Sequence, residues 1–438
     1  MHYQTDFPPE QLQQRRQRVM DDIGTAAMAV IGGAGATGAF DYFRQTNEFY
    51  YLTGIEVPHA YLLIDGKTRS STLYLPHRDE KLERSEGAQI NCDRAPEVST
   101  LTGIEHIAPL AQLADDVKQT QTIFTPRSPG EMRQACRDTL VEQQKLAQAD
   151  PWDRLASREA RLQARLATAA PQSTFCDLSP LLDQMRLIKT GCEADVMRRA
   201  GKLTAKAVVQ AMQRTKAGIY EYQLAAVADF VFSDAGASSS GYRAIVAGGS
   251  NIWNTHYWRN DCKLQDGDLV LMDYAPDIGC YTSDIGRMWP VNGRYSDQQR
   301  ELYGFVVAYH QVLIEVIRPD AAVGDLARQA ADRIRPTWEA WPFSNDRYRE
   351  AARKMIESEV AFTHPVGMAV HDVGEYRDEP LRPGVVFALD PQMWVPDESL
   401  YIRVEDTVLV TDDGIEVLTS DAPLDLDEVE AIVGSSAA

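Results

Sequence analysis

Apolar positions in the first third of the chain recur in short runs, "AAMAVIGG", "AYLLIDG", "STLYLP" and "TIFTPR", each closed by Gly, Pro or Asp. Runs of that length with such punctuation predict strands. Charged, helix-forming stretches lie between and beyond them, over residues 10–22 and 131–148, so this part reads as a small α/β unit. The pattern then changes. "DLSPLLDQMRLIKT" forms a seam, and beyond it Val196, Ala200, Leu203, Ala207 and Ala211 recur at helical spacing. That spacing predicts a long amphipathic helix stopped at Gly218, and a face so rich in alanine packs closely against its neighbour. The boundary falls near residue 178, giving residues 1–178 and 179–438. A second helical pair follows Ser296, through "DQQRELYGFVVAYHQVLIEVI" and "VGDLARQAADRI".

In the second part the strand-like runs carry acids. "LVLMDYAPDIGCYTSDIGRMW" places Asp273 and Asp284 on two such runs around a turn. With Ile278 and Gly279 as a two-residue loop, Asp277 pairs with Cys280 and Asp273 sits opposite Asp284. Directly opposed side chains have Cβ atoms roughly 4.5–5.5 Å apart, and like charges there repel. Two acids so held call for a cation between them or a raised pKa. A solvated hairpin with chance acids is the bland alternative, and the apolar flanks weigh against it. "VVFALDPQMW" poses the same problem, because Asp390 ends an apolar run where a carboxylate is costly to desolvate. A second hairpin can be drawn from "VVFALDPQ" to "LYIRVEDTVLV". Alternation puts Tyr401, Arg403, Glu405 and Thr407 on one face, with Glu405 approaching Asp390 across the pair. A structural salt bridge from Arg403 to an acid is the alternative there.

"FTHPVGMAVHDVGEY" adds His364 and His371, seven residues apart around a Gly-containing apolar stretch. A lone histidine is more often a packed core residue than a ligand. Two of them beside four acids shift that balance. Oxygen-rich sites with an imidazole suit Mn²⁺, Zn²⁺, Co²⁺ or Fe²⁺ better than a soft-metal thiolate site would.

Composition narrows the setting. A chain of 438 residues predicts two domains, and 44% hydrophobic with 25% charged residues is a soluble globular balance. The N-terminal "MHYQTDFPPEQLQQRRQRVM" has no apolar signal-peptide core, and no run is long enough for a membrane span. Six singly scattered cysteines suit a reducing cytoplasm rather than a disulfide framework. A net charge of −20 disfavours nucleic acid and anionic membranes as partners. "GAGATG" (Gly33 to Gly38) matches the dinucleotide pattern, but it runs into the aromatic, turn-like "AFDYFRQTNEFYYLTG" instead of a crossover helix. It reads as a mobile loop.

Taken together, these residues resemble the pita-bread metallopeptidases: aminopeptidase P, prolidase, methionine aminopeptidase and creatinase. "EQLQQRRQRVM" and "YFRQTNEFYYLTG" look like the N-terminal domain of bacterial aminopeptidase P. "RLIKTGCEADVMRRAGKLTAKAV" is similar to the helix that opens the family's catalytic domain. The resemblance implies an α+β chain, with a creatinase-like α/β domain followed by a pita-bread catalytic domain. It implies metal ligands at Asp273, Asp284, His364, Asp390 and Glu405, and catalytic roles for His256, His371, Asp390 and Arg403. Two divalent ions are implied, Mn²⁺ first, with Zn²⁺, Co²⁺ or Fe²⁺ as alternatives. The implied reaction is hydrolysis of N-terminal Xaa-Pro bonds by a hydroxide bridging those ions. Partners would be a peptide with proline after its first residue and further copies of the chain, as a homodimer or homotetramer.

Two positions depart from the family pattern. Asp390 stands where relatives use glutamate, a reach deficit of about 1.5 Å. Val360 stands where proline-directed members carry a histidine, and it cannot donate a hydrogen bond to a substrate carbonyl. These departures motivate two other readings: a creatinase-like hydrolase or lyase acting on a non-peptide substrate, and a metal-free binding module on the same fold. Met393 and Trp394 are expected near the site, where they narrow it or simply pack a loop.

Overall fold

The computed structural model describes residues 3–37 and 40–435. The chain divides into two units, Met1–Met185 and Arg186–Ala438.

In the first unit six strands form one sheet. Its order is His106–Pro109, Ser70–Leu75, Tyr61–Asp65, Ala27–Gly32, Thr122–Thr125 and Thr174–Asp177. The central hairpins are antiparallel and the outer neighbours parallel. The four strands expected from the apolar runs are present, and the two outermost ones were not anticipated. After Gly32 the backbone leaves the sheet without helix through Thr37, as expected of a loop, and Gly38 lies outside the described residues. The aromatic stretch read as turn-like is instead helical over Asn47–Thr53 and closes on Gly54, at a φ of 67°. Every residue of that helix is buried, so tertiary packing overrides a weak local preference. Its last carbonyls are not left orphaned: Arg15 donates to the Tyr51 oxygen at 2.9 Å and Arg16 to that of Leu52 at 3.0 Å.

The second unit is built on a seven-stranded sheet. The order is Phe362–Pro365, Val386–Leu389, Glu405–Val410, Ile285–Pro290, Leu269–Asp273 and Ile245–Gly248, with Ile415–Val417 pairing off Glu405–Val410. The long helix covers Gly191–Arg214, opened by a Thr190–Glu193 capping box. It ends before Thr215 rather than at Gly218, which sits in the following turn at a φ of 90°. The alanine face is buried as expected, and Gly201 lies so near the Leu418 carbonyl that an added Cβ would stand 2.3 Å from it. The later helical pair is Asp297–Val316 and Val323–Ala340. Helices and sheet share one apolar core that includes Leu271, Trp289, Tyr303, Phe305 and Phe387.

Candidate metal centre

Strand Ile285–Pro290 organises the site because it is paired on both sides. On one side Arg287 faces Met272, and on the other Gly286 faces Glu405. Carried one step on, the first register puts Asp273 across from Gly286, not from Asp284. The turn explains the shift. Ile278 pairs with Tyr281, so the two-residue loop is Gly279–Cys280, with φ of 57° and 65°. Two positive φ values are the mark of a type I′ turn, whose twist suits a hairpin. Asp273 and Asp284 are therefore diagonal neighbours on one face. Both reach the Tyr242 hydroxyl, at 2.6 Å and 2.9 Å, and share its single proton.

Gly286 leaves a gap between Asp273 and Glu405 that the Arg403 guanidinium occupies. Nη2 of Arg403 donates to Glu405 at 2.5 Å and also to Asp273, while Nη1 stands 3.7 Å from Asp390. A Cβ at position 286 would meet Arg403 Nε at 2.8 Å. The opposite face of the same strand holds a separate buried pair. Asp406 accepts from Arg287 at 2.6 Å and lies 3.2 Å from His310. Sequence alternation thus separates Glu405 from Asp406 as expected.

His364 Nε2 is 3.5 Å from Asp284, and its Nδ1 is 3.3 Å from the Pro365 carbonyl. A second hydrogen bond of that kind fixes the ring of a ligating histidine. The ligand atoms of Asp284, His364 and Glu405 all lie within 4.8 Å of one another. The His371 ring is centred 4.0 Å from that of His364, and His256 lies 5.8 Å from His371. Each outer histidine has its own anchor. Asp372 is buried between Arg186 and Lys189, the latter at 3.5 Å, and accepts from the Met368 amide at 3.2 Å. Glu221 accepts from Gly248 N, Asn251, Tyr257 and Cys262 N at 2.8–3.0 Å, pinning both ends of the His256 loop.

Asp390 follows the strand whose Leu389 faces Asp406, so it approaches Glu405 as expected. Its Oδ2 accepts from Gln392 Nε2 at 2.5 Å. Its Oδ1 is buried with no hydrogen-bond partner among the described residues. Met393 belongs to the apolar core, and the Trp394 ring lies tilted over Tyr401 at 4.2 Å and meets Trp253 edge to face at 5.2 Å. Val360 is 43% exposed.

Charge within this cluster is unbalanced. Four buried carboxylates face one guanidinium. Burial, joined by Asp273, pushes the Asp284 carboxyl well above its ordinary range. Burial also raises Glu405 and Asp390, against the pull of Arg403. Burial alone would lower Arg403, but Glu405 and Asp390 outweigh it and hold the guanidinium charged. An orphaned carboxylate oxygen, a surplus of buried acid and one imidazole together fit a divalent cation bound through oxygen and nitrogen.

Two other groupings have ligand-like spacing. Glu221, Asp261 and Cys262 come together, but the Glu221 oxygens already accept four hydrogen bonds. His77, Cys92 and Asp93 meet at the surface of the first unit. Among the residues that shape the main cluster, Tyr242, Gly286, Asp372 and Glu221 carried no local sequence signal. Gln392 lies only two residues beyond Asp390, at the start of the next strand, Gln392–Val395.

Comparison with known proteins places this geometry in context. The family model described as Metallopeptidase family M24 matches residues 195–412, and the one described as Aminopeptidase P, N-terminal domain matches residues 12–124. The chain is 28% identical over 452 residues to the Xaa-Pro aminopeptidase of Escherichia coli, covering 98% of both. It superposes on the proline aminopeptidase P II of Yersinia pestis with a TM-score of 0.80 at 26% identity, covering 97% of this chain and 99% of that one. It also superposes on the E. coli aminopeptidase P solved with the inhibitor Pro-Leu, at a TM-score of 0.77 and 25% identity over 98% of each.

Proposed function

This chain belongs to metallopeptidase family M24, and on that premise we propose that it removes the first residue from peptides whose second residue is proline. The observation that carries the reading is the convergence of His364 and Glu405 from two strands, and of Asp284 from just before a third, onto one point amid surplus buried acid. Asp273, Asp284, His364, Asp390 and Glu405 are the proposed ligands of two divalent ions, Mn²⁺ in the first instance. Bound there, such ions supply Lewis acidity and lower the pKa of water.

The chain's own residues do the rest. His371, beside His364, donates to the carbonyl oxygen as negative charge develops, an effect of roughly 3–4 kcal/mol for one well-placed donor. Asp390 holds a proton and passes it to the departing nitrogen. That nitrogen is the imide of proline in the substrate, so it has no N–H to be read, and recognition falls on ring shape and carbonyls. His256 lines the substrate side, and Arg403 keeps Asp273 and Glu405 in place. The proposal includes a cytoplasmic setting, supported by six free cysteines, and assembly as a homodimer or homotetramer. No helix among the described residues is long and apolar enough to cross a membrane.

Manganese-loaded protein should cleave Ala-Pro-Leu and leave Ala-Ala-Leu largely intact. Failure on every Xaa-Pro peptide at any metal loading overturns the reading. The exposed Val360 favours one second reading, non-peptide hydrolase or lyase chemistry at the same metal centre, which creatine turnover would reveal.

A further inference from the structure

The two oxygens of Asp390 are not equivalent. Oδ2 accepts from the Gln392 amide at 2.5 Å and has Arg403 Nη1 at 3.7 Å. Oδ1 is as deeply buried and has no partner among the described residues. The Gln392 donor and the Arg403 charge come from the two strands of one hairpin, in which they lie directly across from each other. A carboxylate held by one oxygen cannot rotate, so its other oxygen keeps a fixed aim. Leaving that oxygen unpaired in a buried site is costly unless something binds it.

We propose that Gln392 is a positioning residue that fixes Asp390 through Oδ2 and so reserves Oδ1 as the single oxygen offered to the metal. This rests on the metal reading above and adds to it a role for a residue outside the ligand set. A glutamine suits the task chemically. Its amide nitrogen donates to the carboxylate without adding charge to a cluster already rich in acid. A side chain as short as aspartate has little freedom once one oxygen is fixed, so the clamp supplies the orientation that reach alone does not.

Isothermal titration of Mn²⁺ into the metal-free chain tests it, with thermal unfolding as a check on folding. Q392A should weaken Mn²⁺ binding by about 10- to 100-fold, the usual effect of losing a partner that orients a ligand. Q392E removes the donor and places an acid against Oδ2, so it should weaken binding at least as much. Rescue by Q392N would not be expected, since its amide stops one carbon short. A Q392A variant that binds Mn²⁺ as tightly as the wild type overturns the clamp. So does a Q392E variant that binds more tightly, because residue 392 would then itself face the ion. A wild-type chain that takes up neither Mn²⁺ nor Zn²⁺ overturns the metal reading and the clamp with it, a result distinct from the other two.

Discussion

Replacing Gly286 with alanine tests the packing at the centre of the site. The backbone of Gly286 is not in the left-handed region, so alanine brings no conformational penalty there and its effect is steric. Its Cβ would stand 2.8 Å from Arg403 Nε, 3.3 Å from Nη2 and 3.0 Å from the Glu405 Cβ. The guanidinium must retreat by about 0.6 Å to regain ordinary contact, and Glu405 gives ground with it. Overpacking of this kind costs about 1–3 kcal/mol, and a weakened charge-assisted hydrogen bond about 1.5–3 kcal/mol more if fully lost. Partial retention of the Arg403 bonds puts the total near ~3 kcal/mol. For a unit of this size that is a fall in Tm of roughly 6–12 °C in the metal-free chain. Because Asp273 and Glu405 are displaced together, turnover of an Xaa-Pro peptide should fall by about 100-fold, as misplacements approaching 1 Å commonly do. Differential scanning calorimetry and initial rates read the two effects. A Tm within 2 °C of wild type and unaltered turnover would refute the claim that glycine at 286 makes room for Arg403.

D372N leaves Arg186 and Lys189 buried without their anion, and urea unfolding should show a loss of about 3–5 kcal/mol at neutral pH. Burial works to raise the Asp372 pKa, but Arg186 and Lys189 outweigh it and hold it below the ordinary value. Its stabilisation is therefore complete above the unfolded carboxylate pKa and is lost as pH falls through the lower folded value; the gap between wild type and D372N should narrow below about pH 4, and a gap constant down to pH 2 would contradict the pairing. Mn²⁺ at about a hundredfold above its Kd should stabilise the chain by about 2.7 kcal/mol, or roughly 5–11 °C in Tm, and EDTA should reverse both this gain and peptide cleavage.

Strand alternation and short spacing bring Asp273, Asp284, His364, His371, Asp390 and Glu405 forward as candidates, whereas their roles, and His256 altogether, come only from the family resemblance. Glu405 and Asp406 went to opposite faces as the period of two requires, and Asp390 came to lie near Glu405. The hairpin register was misread because its loop is Gly279–Cys280, and a cysteine at positive φ gives no sign of itself in sequence. Moving the loop by one residue changed the partner of Asp273 by two. Asn47–Thr53 was missed for another reason: its helix is held by burial of Phe49, Tyr50 and Tyr51 and by arginines from a distant segment. The anchors Tyr242, Glu221 and Arg186 act across 30 to 186 positions of chain, a range over which no local pattern operates. The outer strands His106–Pro109 and Thr174–Asp177 are four residues each and only partly buried, too short for alternation to show.

Arg403 has a consequence for how the protein comes into being. A nest of four acids would ordinarily resist closing until an ion arrived, tying maturation of the chain to the supply of metal. Here a tethered positive charge already sits among three of them, so the sheet can close on a newly made chain with no ion at hand. On the metal reading proposed above, loading would then be separable from folding, with the metal-free and metal-loaded chain sharing one closed sheet.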